Sequence, residues 1–534
     1  MDTRIEGILR YHERTKHHQT RYAPGPAGLD WPNQPDPFRV YEGAPRHEWR
    51  LGAGALGTAY ADLKRPGSVP PRPLTGDTLG ILLEMSLGLS AWKSVGAVSW
   101  ALRCNPSSGN LHPTEGYLVC PSLPGLDRGV YHYLPKEHAI ERRAQPGERW
   151  DEAFLPGGVI VGLSSIPWRE AWKYGERAYR YCQHDAGHAL AALRYAAAAL
   201  GWEASLLEGW ADADIASLLG LDRDGPSAEE REVPELLIRV GPEPGSPEPA
   251  RLLEALRDSP WAGRANRLSA RPVHWLAIDE AERAIRKPRT RLRPEDPIPP
   301  LPPLVGPEPG PLAADLFRER RSAVAYDGTT AMPAAAFFSI LDALLPRPRV
   351  PPFDALPWPP RLHVLAFVHR VEGLAAGLYL LARTAEGEDV LREAVGPGWE
   401  WASLPGCPSH LRIWRLLAED VTRVARLISC HQDIAADSCF SLAMLAEFEG
   451  AFVEGPWAYR TLFWEAGAMG QSLYLEAEAW GFRGTGIGCY FDEEVHRLLG
   501  LRGDVLQDLY HFTVGGPLED DRLTTLPPYG HLQR

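Results

Sequence analysis

The chain of 534 residues is poor in the features that mark several large classes of protein. It has seven cysteines, at 104, 120, 182, 407, 430, 439 and 489, with no C-x-x-C pair among them. An odd count without that spacing argues against a disulfide framework or a structural zinc site. The segment SCHQDIAADSC brings Cys430, His431 and Cys439 close together, but the spacing fits no familiar metal pattern. Those thiols read as buried ones beside a helix, and no metal is expected. No Lys/Arg-dense run is present and the net charge is −13. Nucleic acid and anionic membrane surfaces both reward a concentrated basic face, so neither is an expected partner. No apolar run is long enough to span a bilayer, and the opening MDTRIEGILRYHERTKHH has no apolar signal core. A cytoplasmic protein acting on a small molecule or a peptide is the expectation.

What the chain does have is bulk and repetition. The length exceeds one ordinary core, and 44% apolar residues with 18 Trp can build two. Residues 178–224 align without a gap on residues 458–504, at a constant offset of 280. Both copies keep Ala-Tyr-Arg, then Ala-Gly, then an alanine-rich run ending in Gly201 or Gly481, then Leu-Leu-Gly-Leu. The run reads as a long buried helix closed by glycine. A second match, GLDRGVY at 125–131 and GLAAGLY at 373–379, leads each time into a strand-like stretch, and each copy closes on a strand and turn near 240 or 515. The chain is a duplication. Residues 1–70 form a wrapping arm, 71–245 the first domain and 246–311 a connecting segment. That segment ends in the proline-rich, semi-rigid RPEDPIPPLPPLVGPEPGP, and 312–534 form the second domain.

Four stretches carry the chemistry: RCNPSSGNLHPTEGYLV and KYGERAYRYCQHDAGH in the first copy, RERRSAVAYDG and EAGAMGQSLYLEAEAWGFRGTGIGCY in the second. In combination they resemble the nitroreductase superfamily, in particular its SagB/ThcOx-like dehydrogenase branch. The resemblance implies an α+β fold, usually a homodimer holding FMN at the subunit interface. Here two nitroreductase-like domains would form an intramolecular pseudo-dimer, monomeric in solution. Arg320, Arg321 and Ser322 of RERRS stand near a helix start, where guanidinium forks and a hydroxyl can meet the flavin phosphate. A solvated arginine cluster is the plainer reading. Gly486, Gly488 and Cys489 match the region that family proteins use to bring a backbone N–H toward the flavin ring; a glycine-rich turn after a helix is the alternative. Pro106, Ser107, Ser108 and Asn110 match the turn that reaches the flavin from the partner subunit, with Arg103 before them as a candidate anion contact.

The copies have diverged unequally. Opposite GTGIG the first copy has Ala204, Ser205, Leu206, Leu207 and Glu208, and in place of Arg-Arg-Ser only Lys64 and Arg65. Opposite Pro-Ser-Ser-Gly-Asn the second copy has DALPWPPRLHV, 354–364. Each half keeps what the other lost. One composite flavin site between the domains is expected, with the mirror-related pocket degenerate. Lys173 and Tyr174 match the Lys-Tyr pair implicated as base in azole-forming relatives, and Arg169, Arg177 and Arg180 are close enough in sequence to depress a lysine pKa. An exposed lysine near a helix start is the alternative. His184 and His188, at i, i+4 spacing, read as pocket or core histidines rather than a metal pair. The implied activity is that of an FMN-dependent oxidoreductase, a SagB-type dehydrogenase oxidising azoline rings in a modified peptide alongside other biosynthetic proteins. The alternatives are an NAD(P)H-dependent nitroreductase or ene-type reductase, or a flavin-free scaffold. No G-x-G-x-x-G follows a clear strand, so a separate nicotinamide-binding module is not indicated.

Overall fold

The computed structural model describes residues 2–154, 157–223, 227–243, 248–293 and 298–532. The expected domain boundary at 245/246 and part of the proline-rich connector, 294–297, lie outside the described residues. Helix α1 (Thr3–Arg14) starts on Asp2, whose carboxylate caps the Arg4 N–H at 2.9 Å. The first copy then supplies a hairpin, β1 (Leu89–Val95) and β2 (Val98–Arg103), followed by β3 (Thr114–Cys120), β4 (Gly129–Leu134), β5 (Ala139–Ala144) and β6 (Val159–Ser165). Helices α2 (Pro167–Tyr174) and α3 (Ala178–Ala199) follow, then β7 (Glu203–Leu206) and β8 (Val233–Gly241). A further helix, α4 (Leu276–Ile285), lies in the connecting segment. The second copy runs α5 (Ala313–Glu319), β9 (Leu362–Val368), β10 (Gly377–Ala382), β11 (Arg412–Leu417), β12 (Phe440–Glu447), α6 (Ala458–Ala479), β13 (Arg483–Ile487), β14 (Leu506–Gly515) and a tail strand β15 (Thr524–Leu526).

The two main sheets repeat strand for strand. Their orders are β5-β4-β3-β6-β8-β7, extended at the β5 edge by Arg46–Glu48, and β11-β10-β9-β12-β14-β13. Every ladder in them is antiparallel. Central strands such as β3, β6 and β9 are buried along their whole length, so both faces are covered and LHVLAFV shows no polar alternation. Helices α3 and α6 cross between the sheets, and one apolar cluster joins both copies through them. A Cβ on Gly187 would overlap the Trp464 carbonyl oxygen, and one on Gly467 the His184 carbonyl oxygen. These two glycines are the Ala-Gly that the repeat retains.

The retained Ala-Tyr-Arg has an equally direct cause. Arg180 of α3 binds Asp492 at 2.7 Å, and Arg460 of α6 binds Asp212. Each aspartate also takes a backbone N–H from a wrapping segment, His17 to Asp492 at 2.7 Å and Lys287 to Asp212 at 2.8 Å. Each returns its own N–H to the carbonyl of that residue, at 3.1 Å both times. Helices α1 and α4, which precede His17 and Lys287, thus hold matching positions, and they touch: Arg4 Nε donates to the Ala284 carbonyl at 2.9 Å. At the other terminus β15 pairs with β1, and the buried Tyr529 hydroxyl accepts the Leu89 N–H at 2.9 Å. The tail of the second copy therefore closes over the first.

Candidate active site

The turn after β2 is held from within. Ser107 Oγ accepts the His112 N–H at 2.8 Å, and Asn110 donates to the Ala101 carbonyl at 2.9 Å while its Oδ1 faces His112 Nε2 at 2.9 Å. Ser108 gives both its N–H and its hydroxyl to Asp185 of α3, each at 3.1 Å. Pro106, Ser107, Ser108 and Asn110 are all partly exposed. Gly109 has φ +60°, and a Cβ there would stand 2.6 Å from the Tyr174 hydroxyl and 3.2 Å from Lys173 Nζ. The turn therefore lies directly against the Lys173–Tyr174 pair.

The second copy approaches from the other side. RERRS stands at the end of α5, with Arg320 as its C-cap, and not at the helix start expected from the sequence; Arg320 is buried with its guanidinium 4.6 Å from the Tyr474 ring centroid. Its Nη2 reaches the Arg103 and Cys104 carbonyls at 3.4 and 3.5 Å, while Nε and Nη1 have no partner among the described residues. Arg321 donates to the Ser90 carbonyl at 3.0 Å. Burial and the neighbouring Arg320 push its pKa down. Lys93, on β1, is pushed down by burial and by Arg321 and Arg483. Ser322 Oγ meets the Tyr474 hydroxyl at 2.9 Å, and the same hydroxyl accepts the Gly486 N–H at 3.0 Å. The Gly488 carbonyl accepts from the Tyr181 hydroxyl at 3.0 Å and from Arg177 at 3.2 Å. The space a Cβ would need at Gly486 and Gly488 is taken by the Tyr510 and Tyr181 side chains. These two glycines thus admit tyrosines from β14 and α3.

The structure thus gathers Ser107, Ser108, Lys173, Tyr174, Gly486, Gly488, Arg320, Arg321 and Ser322 along one seam beside α3 and α6. Arg103 points elsewhere. Its guanidinium bonds the Pro37 carbonyl at 2.6 Å and the Thr114 carbonyl at 3.2 Å, and burial pushes its pKa down to about 10. The cationic surroundings expected for Lys173 are also spent elsewhere: Arg169 is bound to Glu115, and Arg177 and Arg180 to Asp492. The titratable group beside Lys173 is instead Glu170, a buried carboxyl with the Ser107 hydroxyl beside it. Burial and Asp185 push its pKa well up. Asp185 is itself pushed up to about 7 by burial. Burial, then Glu170, holds the Tyr174 phenol firmly protonated, so it is a hydrogen-bond donor at neutral pH. His184 stacks on Tyr510 at 4.3 Å and His188 Nε2 meets the Tyr510 hydroxyl at 3.1 Å; burial keeps both neutral. Among the described residues no cluster of His, Cys, Asp and Glu could hold a metal ion.

Sequence reasoning passed over Glu170, Asp185 and Tyr474. One of them left a signal. The acid before Ala-Gly is present in both copies, as Asp185 and Glu465, and each accepts a backbone N–H from the segment leading into β3 or β9: Ser108 to Asp185 at 3.1 Å, Arg361 to Glu465 at 3.1 Å.

The mirror-related end of the seam is open. A cavity of about 1370 Å³ lies between residues 204–208 and 353–360. Its walls keep arginines, among them Arg194 paired with Asp354 at 2.7 Å and Arg383 paired with Glu465. Lys64 is buried against Glu476 at 2.7 Å, Arg65 lies exposed beside Asp62, and Glu208 pairs with Arg293 at 2.8 Å. That end differs from the other in the groups around it and not by being closed.

Residues 93–241 match the model of the nitroreductase family. A protein of Methanocaldococcus jannaschii assigned as a nitroreductase is 26% identical over 144 residues, which are 26% of this chain and 68% of that protein. The trifolitoxin-processing protein TfxB of Rhizobium leguminosarum bv. trifolii is 30% identical over 169 residues, 28% of this chain; the matched stretch spans 44% of TfxB, less than half its length. A crystal structure from Anabaena variabilis, also assigned as a nitroreductase, superposes with a TM-score of 0.68 at 21% identity. It covers 96% of this chain and 99% of its own, so the shared fold runs through both halves. The first half carries a nitroreductase-family domain, and the second repeats its fold. Among the described residues no helix is long and apolar enough to cross a membrane.

Proposed function

We propose that this chain is an FMN-dependent oxidoreductase with one flavin in the seam between its domains, and that it acts as a SagB-type dehydrogenase on azoline rings of a modified peptide. One observation carries the flavin assignment. Among the described residues the buried guanidinium of Arg320 has two N–H-bearing nitrogens without a partner, and it sits where a turn of one copy faces a glycine strand of the other. A buried unpartnered cation is costly, and an anionic ligand would offset that cost. Arg321, whose pKa is pushed down by burial and Arg320, and Lys93, pushed down by burial and Arg321, favour an anion at the same end. The residues therefore fit a flavin phosphate. Arg320, Arg321, Ser322 and Lys93 would hold it. Gly486, Gly488 and Cys489 would border the ring from one side, with Pro106, Ser107, Ser108 and Asn110 opposite.

Bound FMN would supply two-electron hydride acceptance. The chain's part is position and proton handling. Asp185 fixes the Ser108 turn, Tyr474 ties Ser322 to Gly486, and Lys173 stands against Gly109 as the base. The Tyr174 phenol, held protonated, orients a substrate by donating a hydrogen bond. The peptide substrate is supported by the alignment with TfxB, named for processing trifolitoxin, and the fused pseudo-dimer points to a monomer.

The test is the colour of the protein. The purified chain is expected to carry about one oxidised flavin, and Arg320→Ala to lose it, while Arg65→Ala at the mirror end keeps it. A colourless wild-type protein that takes up no FMN on titration overturns the reading. Rapid anaerobic bleaching by NAD(P)H would favour the reductase over the dehydrogenase.

A further inference from the structure

Cys430 and Cys489 are 59 positions apart in sequence, yet they lie in adjoining loops: the His431 and Tyr22 rings stand 5.5 and 5.9 Å from Phe491, the His17 ring stands 5.0 Å from Tyr22, and the two thiols and His17 act on one another electrostatically. The backbone around them is braced. Gln432 Nε2 donates to the Ser429 carbonyl at 2.8 Å and the Cys489 carbonyl at 2.9 Å, and the Phe491 N–H donates to the Ile428 carbonyl at 2.8 Å. Cys430 and His431 hold φ of +53° and +61°, a left-handed conformation that is unfavourable for non-glycine residues and tends to persist where function requires it. Both thiols are partly exposed, whereas Cys104, Cys120, Cys182 and Cys439 are buried.

We propose that Cys430 and Cys489 form a redox dithiol, with Cys489 as the attacking thiolate and Cys430 as the resolving thiol of a reversible intrachain disulfide. His17 sets up the attack. Its Nδ1 accepts the Ala23 N–H at 2.9 Å, so the neutral ring carries its proton on Nε2 and can donate it toward the Cys489 sulfur. The charged and titratable groups around the pair are His17 of the arm, Arg177, Tyr174 and Tyr181 of the first domain, Tyr22 of the arm, and Asp492 of the second domain. The neighbouring Cys430 thiol, assisted by His17 and Arg177 and opposed by burial, holds the Cys489 thiol well below its ordinary value. Such a thiol is ionised, and therefore nucleophilic, at neutral pH.

The chemistry is ordinary thiol–disulfide exchange with a small-molecule disulfide as oxidant. The Cys489 thiolate attacks one sulfur of R–S–S–R, forming a mixed disulfide and expelling one thiolate. Cys430 then attacks the Cys489 sulfur, closes the protein disulfide and expels the second thiol, which leaves with the proton of Cys430. Two electrons pass from the chain to the small molecule, which ends as two thiols once the first thiolate takes a proton from water. Closure removes a negative charge beside Tyr174 and Tyr181, so the oxidation state reaches the candidate active site whether or not a flavin is bound.

The probe is glutathione disulfide added to the full-length reduced chain at neutral pH, with thiols mapped by alkylation and mass spectrometry. Wild type is expected to form the Cys430–Cys489 disulfide, reopened by dithiothreitol. Cys430→Ser should stop at one glutathione on Cys489, and Cys489→Ser should form neither product. Independently of any variant, iodoacetamide should label Cys489 in wild type roughly tenfold faster than the partly exposed Cys407. Equal labelling of Cys407 and Cys489, or no mixed disulfide in a folded Cys430→Ser protein, overturns the proposal.

Discussion

The two ends of the seam share a framework and differ in contents. At each end an arginine from the Ala-Tyr-Arg of one long helix crosses to an aspartate of the other copy, and a wrapping segment bonds that aspartate through backbone groups. Yet one end assembles arginines, serines and glycines around Tyr474, and the other opens into a cavity whose arginines include Arg194 paired with Asp354, Arg293 with Glu208 and Arg383 with Glu465. The difference teaches that interactions needed to hold two copies together constrain both ends, while a site needs its chemistry only once.

The strongest way to break that symmetry is through the aspartates. Asp492 neutralises two buried arginines, Arg177 and Arg180, and their charge holds its carboxyl far below the usual range. Asp212 answers for one, Arg460. Removing one partner of a buried pair typically costs about 3–5 kcal/mol because the remaining charge is left unpaired. Asp492→Ala is expected at the upper end of that range and Asp212→Ala at the lower. Urea denaturation of both variants checks it; equal losses would mean that Arg177 finds another counter-charge.

A smaller effect separates the ends by pH. Asp185 holds a folded pKa of about 7, raised by burial from the ordinary aspartate value of 3.8. A carboxyl whose folded pKa is raised binds its proton more tightly in the native state, so its contribution is present at low pH and fades as pH climbs through 7. Over the interval from about pH 5 to about pH 8 the loss from this group is roughly 2–3 kcal/mol. Asp185→Asn keeps an oxygen for the Ser108 N–H and removes the titration, so the variant should lose less stability than wild type over that interval. Parallel pH–stability curves for the two proteins would show that Asp185 does not titrate there.

Much of the fold was legible because a duplication displays itself. The offset of 280 aligned the paired glycines, the paired arginines and the paired aspartates, whose roles at the crossing then follow from close approach and charge. The matching of α1 to α4 was hidden, since the bonds that place them run through backbone N–H and C=O groups that any residue supplies. At the candidate site, RERRS, PSSGN and GTGIG are proposed through resemblance. The fate of Arg103, Arg169, Arg177 and Arg180 was not legible, because a buried guanidinium is claimed by whichever carboxylate or carbonyl the tertiary fold delivers. The approach of Cys430 to Cys489 was hidden for the same reason: it spans two loops that sequence spacing does not relate.

The most local comparison is the helix crossing itself, where the ends ought to be indistinguishable. Gly187 and Gly467 each face a carbonyl of the opposite helix, and in each case an added methyl would overlap it. Against that stands a gain: alanine is the better helix former by about 1 kcal/mol. Overpacking a rigid crossing typically costs about 1–3 kcal/mol, so Gly187→Ala and Gly467→Ala should each destabilise by a net amount at or below that range. The backbone there is pinned by both sheets and cannot retreat from one methyl without moving the other copy. The double variant should therefore lose less than the sum of the two single losses, because the separation forced by the first methyl already makes room for the second. Thermal melts of the three variants measure this. Strict additivity would mean that the two contacts relax independently, and that the crossing is two separate joints instead of one.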